Sequence, residues 1–208
     1  MPEPLTFDPT TGEVTMQHIG TATGPATCWD AAAILADLHR SGATPRRQRG
    51  AARLARSLSR KVADLAGTPV GEQAVDVVDH LASRPVGRAM AATHGDFSPA
   101  NVVPTSLGTF IIDFDRLAYS SPVRDVAHWG AWVWARRATA GERPNWDEGD
   151  AFVDAYLTCA PELSDEVEEG LAYHRASALL RIAHGWSAMR ADPHLSGIVL
   201  TEAKSLLS

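Results

Sequence analysis

The sequence predicts a mainly helical α+β domain, and three observations carry that expectation. Apolar residues recur at helical spacing over most of the chain, two short β-rich hairpins interrupt them, and no segment repeats. A length of 208 residues suits one domain and is enough to bury a core. Hydrophobic residues at 45% and charged residues at 21% exclude disordered and fibrous classes. The net charge of −6 gives no global attraction to phosphate backbones or anionic lipid, so neither nucleic acid nor membrane is an expected partner. Cys28 and Cys159 are the only cysteines and have no metal-type spacing, which fits a reducing cytoplasm. The first residues form no signal peptide, and no stretch reaches the ~18–20 apolar residues of a membrane span. A soluble, unexported protein is expected.

Taken in order, Leu5-Thr-Phe and Glu13 to Ile19 are short extended runs around the turn-rich Asp8–Gly12, a hairpin pattern. Gly20 to Pro25 is a small-residue loop. Thr27 or Asp30 then caps a helix running to Arg40, with Ile34, Leu35 and Leu38 on its apolar side. Arg46 to Leu65 places Leu54, Leu58, Val62 and Leu65 on one helical stripe, and Arg49, Arg53, Arg56 and Arg60 on another. Such a basic stripe is expected to be a solvated face. A helix over Glu72–Ser83 stops before Pro85. The polar stretch from Thr93 leads into Val102-Val103, a turn at Thr105–Gly108, and the β-rich Thr109–Asp113. Helices over Val123–Ala138, Glu148–Cys159, Ser164–Arg190 and Gly197–Leu207 complete the chain, with Pro144, Pro161 and Pro193 at the joints.

The chemistry lies in His94-Gly95-Asp96-Phe97-Ser98-Pro99-Ala100-Asn101, followed by Ile111-Ile112-Asp113-Phe114-Asp115. Antiparallel pairing of Val102-Val103 with Phe110–Ile112 would bring Asn101 and Asp113 to the same end of a ribbon. A carboxylate beside an amide oxygen suits Mg²⁺, which fills its remaining positions with phosphate and water. A second carboxylate nearby, Asp96, could orient or deprotonate a hydroxyl.

This pattern resembles the aminoglycoside phosphotransferase and choline kinase-like group of small-molecule kinases, whose signature is H-G-D-x-x-x-x-N and then a β-run ending I-D-[FW]-[DE]. The resemblance implies a protein-kinase-like fold, consisting mainly of the helical C-terminal lobe with a short N-terminal hairpin and a catalytic-loop hairpin. It implies Asp96 as the catalytic base, Asn101 and Asp113 as Mg²⁺ ligands, and ATP or another nucleoside triphosphate as phosphoryl donor to a small-molecule hydroxyl. Asp115 matches the family's second acidic position. Asp125, in Ser121-Pro-Val-Arg-Asp-Val-Ala, matches the Asp that braces the catalytic loop, and His94 is expected to bond the loop backbone. Upstream, Gln17, His18 and Ile19 match the hinge that holds adenine by its backbone, and Ala31–His39 the first helix of the large lobe. The implied division is a remnant of the small lobe with the hinge over 1–25, and the helical lobe over 26–208.

A complete kinase of this type also carries a Gly-rich loop and a strand Lys paired with a helix Glu. None has a counterpart here: Lys61 and Lys204 are the only lysines. Three functions follow as alternatives. The chain is a phosphotransferase, truncated or completed by a separate chain that supplies the small lobe; or a non-catalytic relative that binds nucleotide or a protein; or a metal-dependent hydrolase, against which the order of the motifs speaks. Other residues are expected to be structural: Trp129, Trp132 and Trp134 as packing, Asp147, Glu148 and Asp150 as helix-start acids, and His128, His174 and His184 as ordinary histidines.

Overall fold

The computed structural model describes residues 4–7, 14–16, 19–82, 88–190 and 192–208, of which 4–7, 14–16, 51 and 188–190 are described by backbone alone. The described residues form three two-stranded antiparallel sheets: β1 (Pro4–Phe7) with β2 (Val14–Met16), β3 (Ala91–Thr93) with β6 (Ala118–Ser120), and β4 (Val102–Thr105) with β5 (Gly108–Ile111). Around them stand α1 (Cys28–Arg40), α2 (Ala51–Leu65), α3 (Gly71–Ala82), α4 (Val123–Thr139), α5 (Asp147–Cys159), α6 (Ser164–Arg190) and α7 (Pro193–Ser205). Among the described residues no helix is long and apolar enough to cross a membrane.

Helix α4 organises the molecule because it is buried on both sides. Its Val126, Trp129 and Val133 pack with α1, α5 and the β4–β5 hairpin, while Ala131, Trp134 and Ala138 pack with α2, α3, α6 and α7. Phe97, wholly buried, inserts from the mid-chain loop beside Trp129 and Phe152; Trp129 stacks on Phe152 with ring centroids 4.5 Å apart. Each such pair adds roughly 0.5–1.5 kcal/mol beyond burial, so the loop is pinned to the core. Helix α5 approaches α4 closely, and a Cβ at Gly149 would lie 2.9 Å from the Gly130 Cα.

Two helices depart from the periodicity reading. The helix expected from Arg46 begins at Ala51, because residues 47–49 are extended: the Arg49 N–H donates to the Tyr119 carbonyl at 2.9 Å and the Tyr119 N–H to the Arg47 carbonyl at 2.8 Å. The segment thereby adds to the edge of β6, a partner that local apolar spacing does not reveal. The last helix begins at Pro193 rather than Gly197, since the Asp192 carboxylate accepts the Leu195 N–H at 3.0 Å and proline suits a first helical turn. Thr27 caps α1 by accepting the Asp30 N–H.

Candidate active site

The site is built on a loop between β3 and β4, and its frame is Asp125, in the first turn of α4. The Asp125 carboxylate is fully buried and accepts the His94 N–H at 2.6 Å and the Gly95 N–H at 2.8 Å. His39 Nε2 lies 3.4 Å from the same carboxylate, and His39 Nδ1 meets the Tyr156 hydroxyl at 2.7 Å. Burial alone would raise the Asp125 pKa, but the hydrogen bond and charge of His39, with the charges of Arg124 and His94, hold it below the ordinary value, so it is an anion. His94, also buried, bonds the Ile112 carbonyl through Nε2 at 2.8 Å, which ties the loop to the end of β5.

Gly95 has φ +86°, and a Cβ there would lie 2.5 Å from the Arg116 carbonyl oxygen and 3.1 Å from Arg124 Nη1. Both the backbone region and the space require glycine. Gly95→Ala is therefore expected to destabilise the protein by about 2–4 kcal/mol, measured by urea unfolding; a loss under about 1 kcal/mol would contradict this packing.

Asp96 is half-buried. Its Oδ1 accepts from His128 Nε2 at 2.9 Å, with Arg116 Nη1 at 3.3 Å. His128 lies three residues after Asp125 on α4, and its Nδ1 faces Arg181 Nη2 at 3.4 Å. A guanidinium can only donate, so Nδ1 is the acceptor and the ring proton sits on Nε2, pointed at Asp96. Burial, together with the Arg181 and Arg124 charges, keeps His128 below its ordinary pKa and hence neutral. Arg181 is itself lowered to about 9 by burial and by Arg124, and stays charged at neutral pH. Burial raises the Asp96 pKa, yet the His128 hydrogen bond and the positive charges outweigh it and bring Asp96 to about 2.

Asn101 closes the loop. Its side-chain N–H donates to the Asp96 carbonyl at 2.9 Å, and its own carbonyl accepts the Ile112 N–H at 3.0 Å. With Val102 opposite Ile111, the backbone puts Asn101 and Asp113 at the same end of the β4–β5 hairpin. Asp113 is exposed and has φ 60°, ψ 65°, the only non-glycine residue at positive φ among those described. That left-handed geometry costs about 1–2 kcal/mol and turns the chain sharply into the next segment. The amide nitrogen of Asn101 is engaged, which leaves its oxygen, with the Asp113 carboxylate, as a hard donor pair suited to Mg²⁺. Among the described residues no group of three or more His, Cys, Asp or Glu is arranged for a metal.

Asp115 is exposed, and its backbone carbonyl accepts from Arg47 Nη1 at 3.1 Å. Of the hinge residues, Gln17 and His18 lie outside the described residues; Ile19 is partly buried, just before the Thr21–Thr23 segment that bonds Ser106 and Pro104 beside the hairpin.

One expectation is corrected here. His128, read as an ordinary structural histidine, contacts Asp96 directly, and no local spacing connects the two. Trp132, expected in core and lobe-surface packing, packs against the core from its surface and also lines a cavity of about 440 Å³ with Asp96, Arg136, Ile182 and Trp186. Trp129 and Trp134 are core residues. Arg181 and Arg116 were not singled out, because nothing local connects them to a loop so far away in sequence.

The solved structures this chain is similar to share its architecture. A choline/ethanolamine kinase family protein from Mesorhizobium loti superposes with a TM-score of 0.67 at 18% identity, covering 100% of this chain and 74% of that one. Choline kinase LicA from Streptococcus pneumoniae gives 0.65 at 16% identity, covering 99% and 74%. An aminoglycoside-3'-phosphotransferase of type VIII gives 0.57 at 19% identity, covering 84% and 72%. At these identities the likeness carries the kinase-like fold alone. No curated protein matches the chain. The sequence profile of the phosphotransferase enzyme family matches residues 10–163, most of the chain and all of the loop, hairpin and helix that form the site, and the chain belongs to that family.

Proposed function

We propose that the protein transfers the γ-phosphoryl group of ATP to a hydroxyl of a small molecule. The observation that supports this most is Asp96 lining a cavity, oriented by His128 and held in one hydrogen-bonded loop with Asn101. In this reading the acceptor hydroxyl donates a hydrogen bond to Asp96. A carboxylate with a pKa of about 2 is a weak base. It aligns the hydroxyl first and takes its proton late, once bonding to phosphorus has acidified it. Arg116 and Arg181 offset negative charge beside the reacting centre. Mg²⁺ bound with the nucleotide would be held by Asp113 and the Asn101 amide oxygen, and supplies charge neutralisation at the phosphate oxygens. Gln17, His18 and Ile19 would hold adenine by their backbone, with residues 1–25 as small lobe and hinge and 26–208 as the catalytic lobe. The nucleotide donor sets this activity in the cytoplasm.

The test is phosphate transfer from ATP to a panel of hydroxyl acceptors, with and without an added small-lobe polypeptide, beside calorimetry of nucleotide binding. Asp113→Ala is expected to weaken Mg²⁺–ATP binding by about tenfold or more while leaving metal-free ATP binding unchanged, since two protein oxygens bind the ion only together with phosphate. Equal, tight Mg²⁺ uptake without nucleotide would favour hydrolysis instead. No transfer in either arm would favour the non-catalytic relative.

A further inference from the structure

Seven of the chain's 19 lysines and arginines, Arg46, Arg47, Arg49, Arg53, Arg56, Arg60 and Lys61, fall in one stretch without a single Asp or Glu. The β6 pairing of residues 47–49 folds the start of this stretch back toward the active-site loop. The helical arginines Arg53, Arg56 and Arg60 are exposed, as the periodicity suggests, and Arg47, Arg49, Arg53 and Arg60 line an open groove of about 240 Å³ with Ser57. Among the described residues no carboxylate pairs with any of the four; Arg47 and Arg53 donate only to the backbone carbonyls of Asp115 and Gln48. Arg49 is half-buried and is lowered to about 10 by that burial and by the charges of Arg124, Arg47, Arg116 and Arg53. Arg124, only 2% exposed, leaves Nε and Nη1 without a partner. The four guanidinium groups of the groove are thus crowded together without a carboxylate paired to any of them among the described residues, an arrangement that a bound dianion relieves.

The groove neighbours the site: Arg47 donates to the backbone carbonyl of Asp115, next to Arg116. Arg116, whose charge acts on Arg49, also bonds Asp96, and Lys61 contacts His184 at 3.4 Å on the part of α6 whose Ile182, Gly185 and Trp186 wall the Asp96 cavity. Among the described residues that line that cavity Asp96 is the only acid, and Arg136 is a cation. These surroundings disfavour a polyamine. We propose that the arginine groove binds a phosphate group carried by the acceptor, so that the substrate is a phosphorylated hydroxyl compound; this rests on the phosphotransferase reading above.

The experiment uses the full chain. Inorganic phosphate alone is titrated by calorimetry into wild type, Arg49→Gln and the exposed pair Arg53→Gln/Arg60→Gln, the last guarding against a folding defect at half-buried Arg49. Phosphate affinity is expected to fall at least tenfold in both variants while ATP affinity is unchanged. Transfer is then compared across matched acceptors with and without a phosphate monoester. The phosphorylated member should be preferred, with KM raised at least tenfold in the variants and kcat retained. Unchanged phosphate affinity would overturn the proposal, as would transfer to unphosphorylated acceptors only. A parallel loss of ATP affinity would also overturn it, by giving the arginines to the donor. Variant-sensitive phosphate binding without transfer to any acceptor would keep the groove as a phosphate site and remove the phosphotransferase reading alone.

Discussion

Asp96→Asn is expected to lower phosphoryl transfer by about 10²–10⁴-fold without changing the fold. The amide keeps an oxygen to accept from His128 Nε2 and Arg116 Nη1, so the loop keeps its shape while the acceptor hydroxyl loses its proton acceptor. Nucleotide affinity should stay near wild type, which separates this variant from Asp113→Ala. The two proteins should also differ in acid. Asp96 in the folded state titrates at about 2, below its ordinary 3.8, so its ionised form favours folding above about pH 4 and that contribution fades as the pH falls toward 2. The stability deficit of Asp96→Asn should be full near neutrality and vanish near pH 2, measured by urea unfolding across pH. Activity within tenfold of wild type would remove Asp96 from the proposed role.

The largest stability effect is expected at Asp125→Ala. Removing this carboxylate strands the His94 and Gly95 N–H groups, both buried, and deprives the buried Arg124 guanidinium of its adjacent countercharge. An unsatisfied buried donor costs about 1–3 kcal/mol, and breaking a buried charge arrangement about 3–5 kcal/mol. Because the terms overlap, a total near 3–5 kcal/mol is expected, equivalent to a Tm lower by about 6–20 °C for a domain of this size. Asp125→Asn, which keeps one acceptor oxygen but not the charge, should fall between. Calorimetric melting of the three proteins checks the order, and a Tm loss of under 3 °C in Asp125→Ala would show that the loop does not depend on this brace.

The sequence by itself determined the helical α+β class and the residues of the loop: His94, Asp96 and Asn101, with Asp113 after the next β-run. These sit within a short stretch of chain, where turn chemistry and strand pairing act locally and spacing alone brings backbone groups to one end of a hairpin. Asp125 was also legible, as an acid at a helix start. Tertiary structure alone decided what surrounds Asp96. His128 reaches it because α4 is buried on both sides and cannot rotate, and Arg181 reaches His128 only because α6 packs along α4. In the same way, Arg47 and Arg49 leave the helical pattern because Tyr119, some seventy residues on, offers a strand edge. Such contacts are fixed by how whole faces bury apolar surface, a property of the assembled core that no short window of sequence contains.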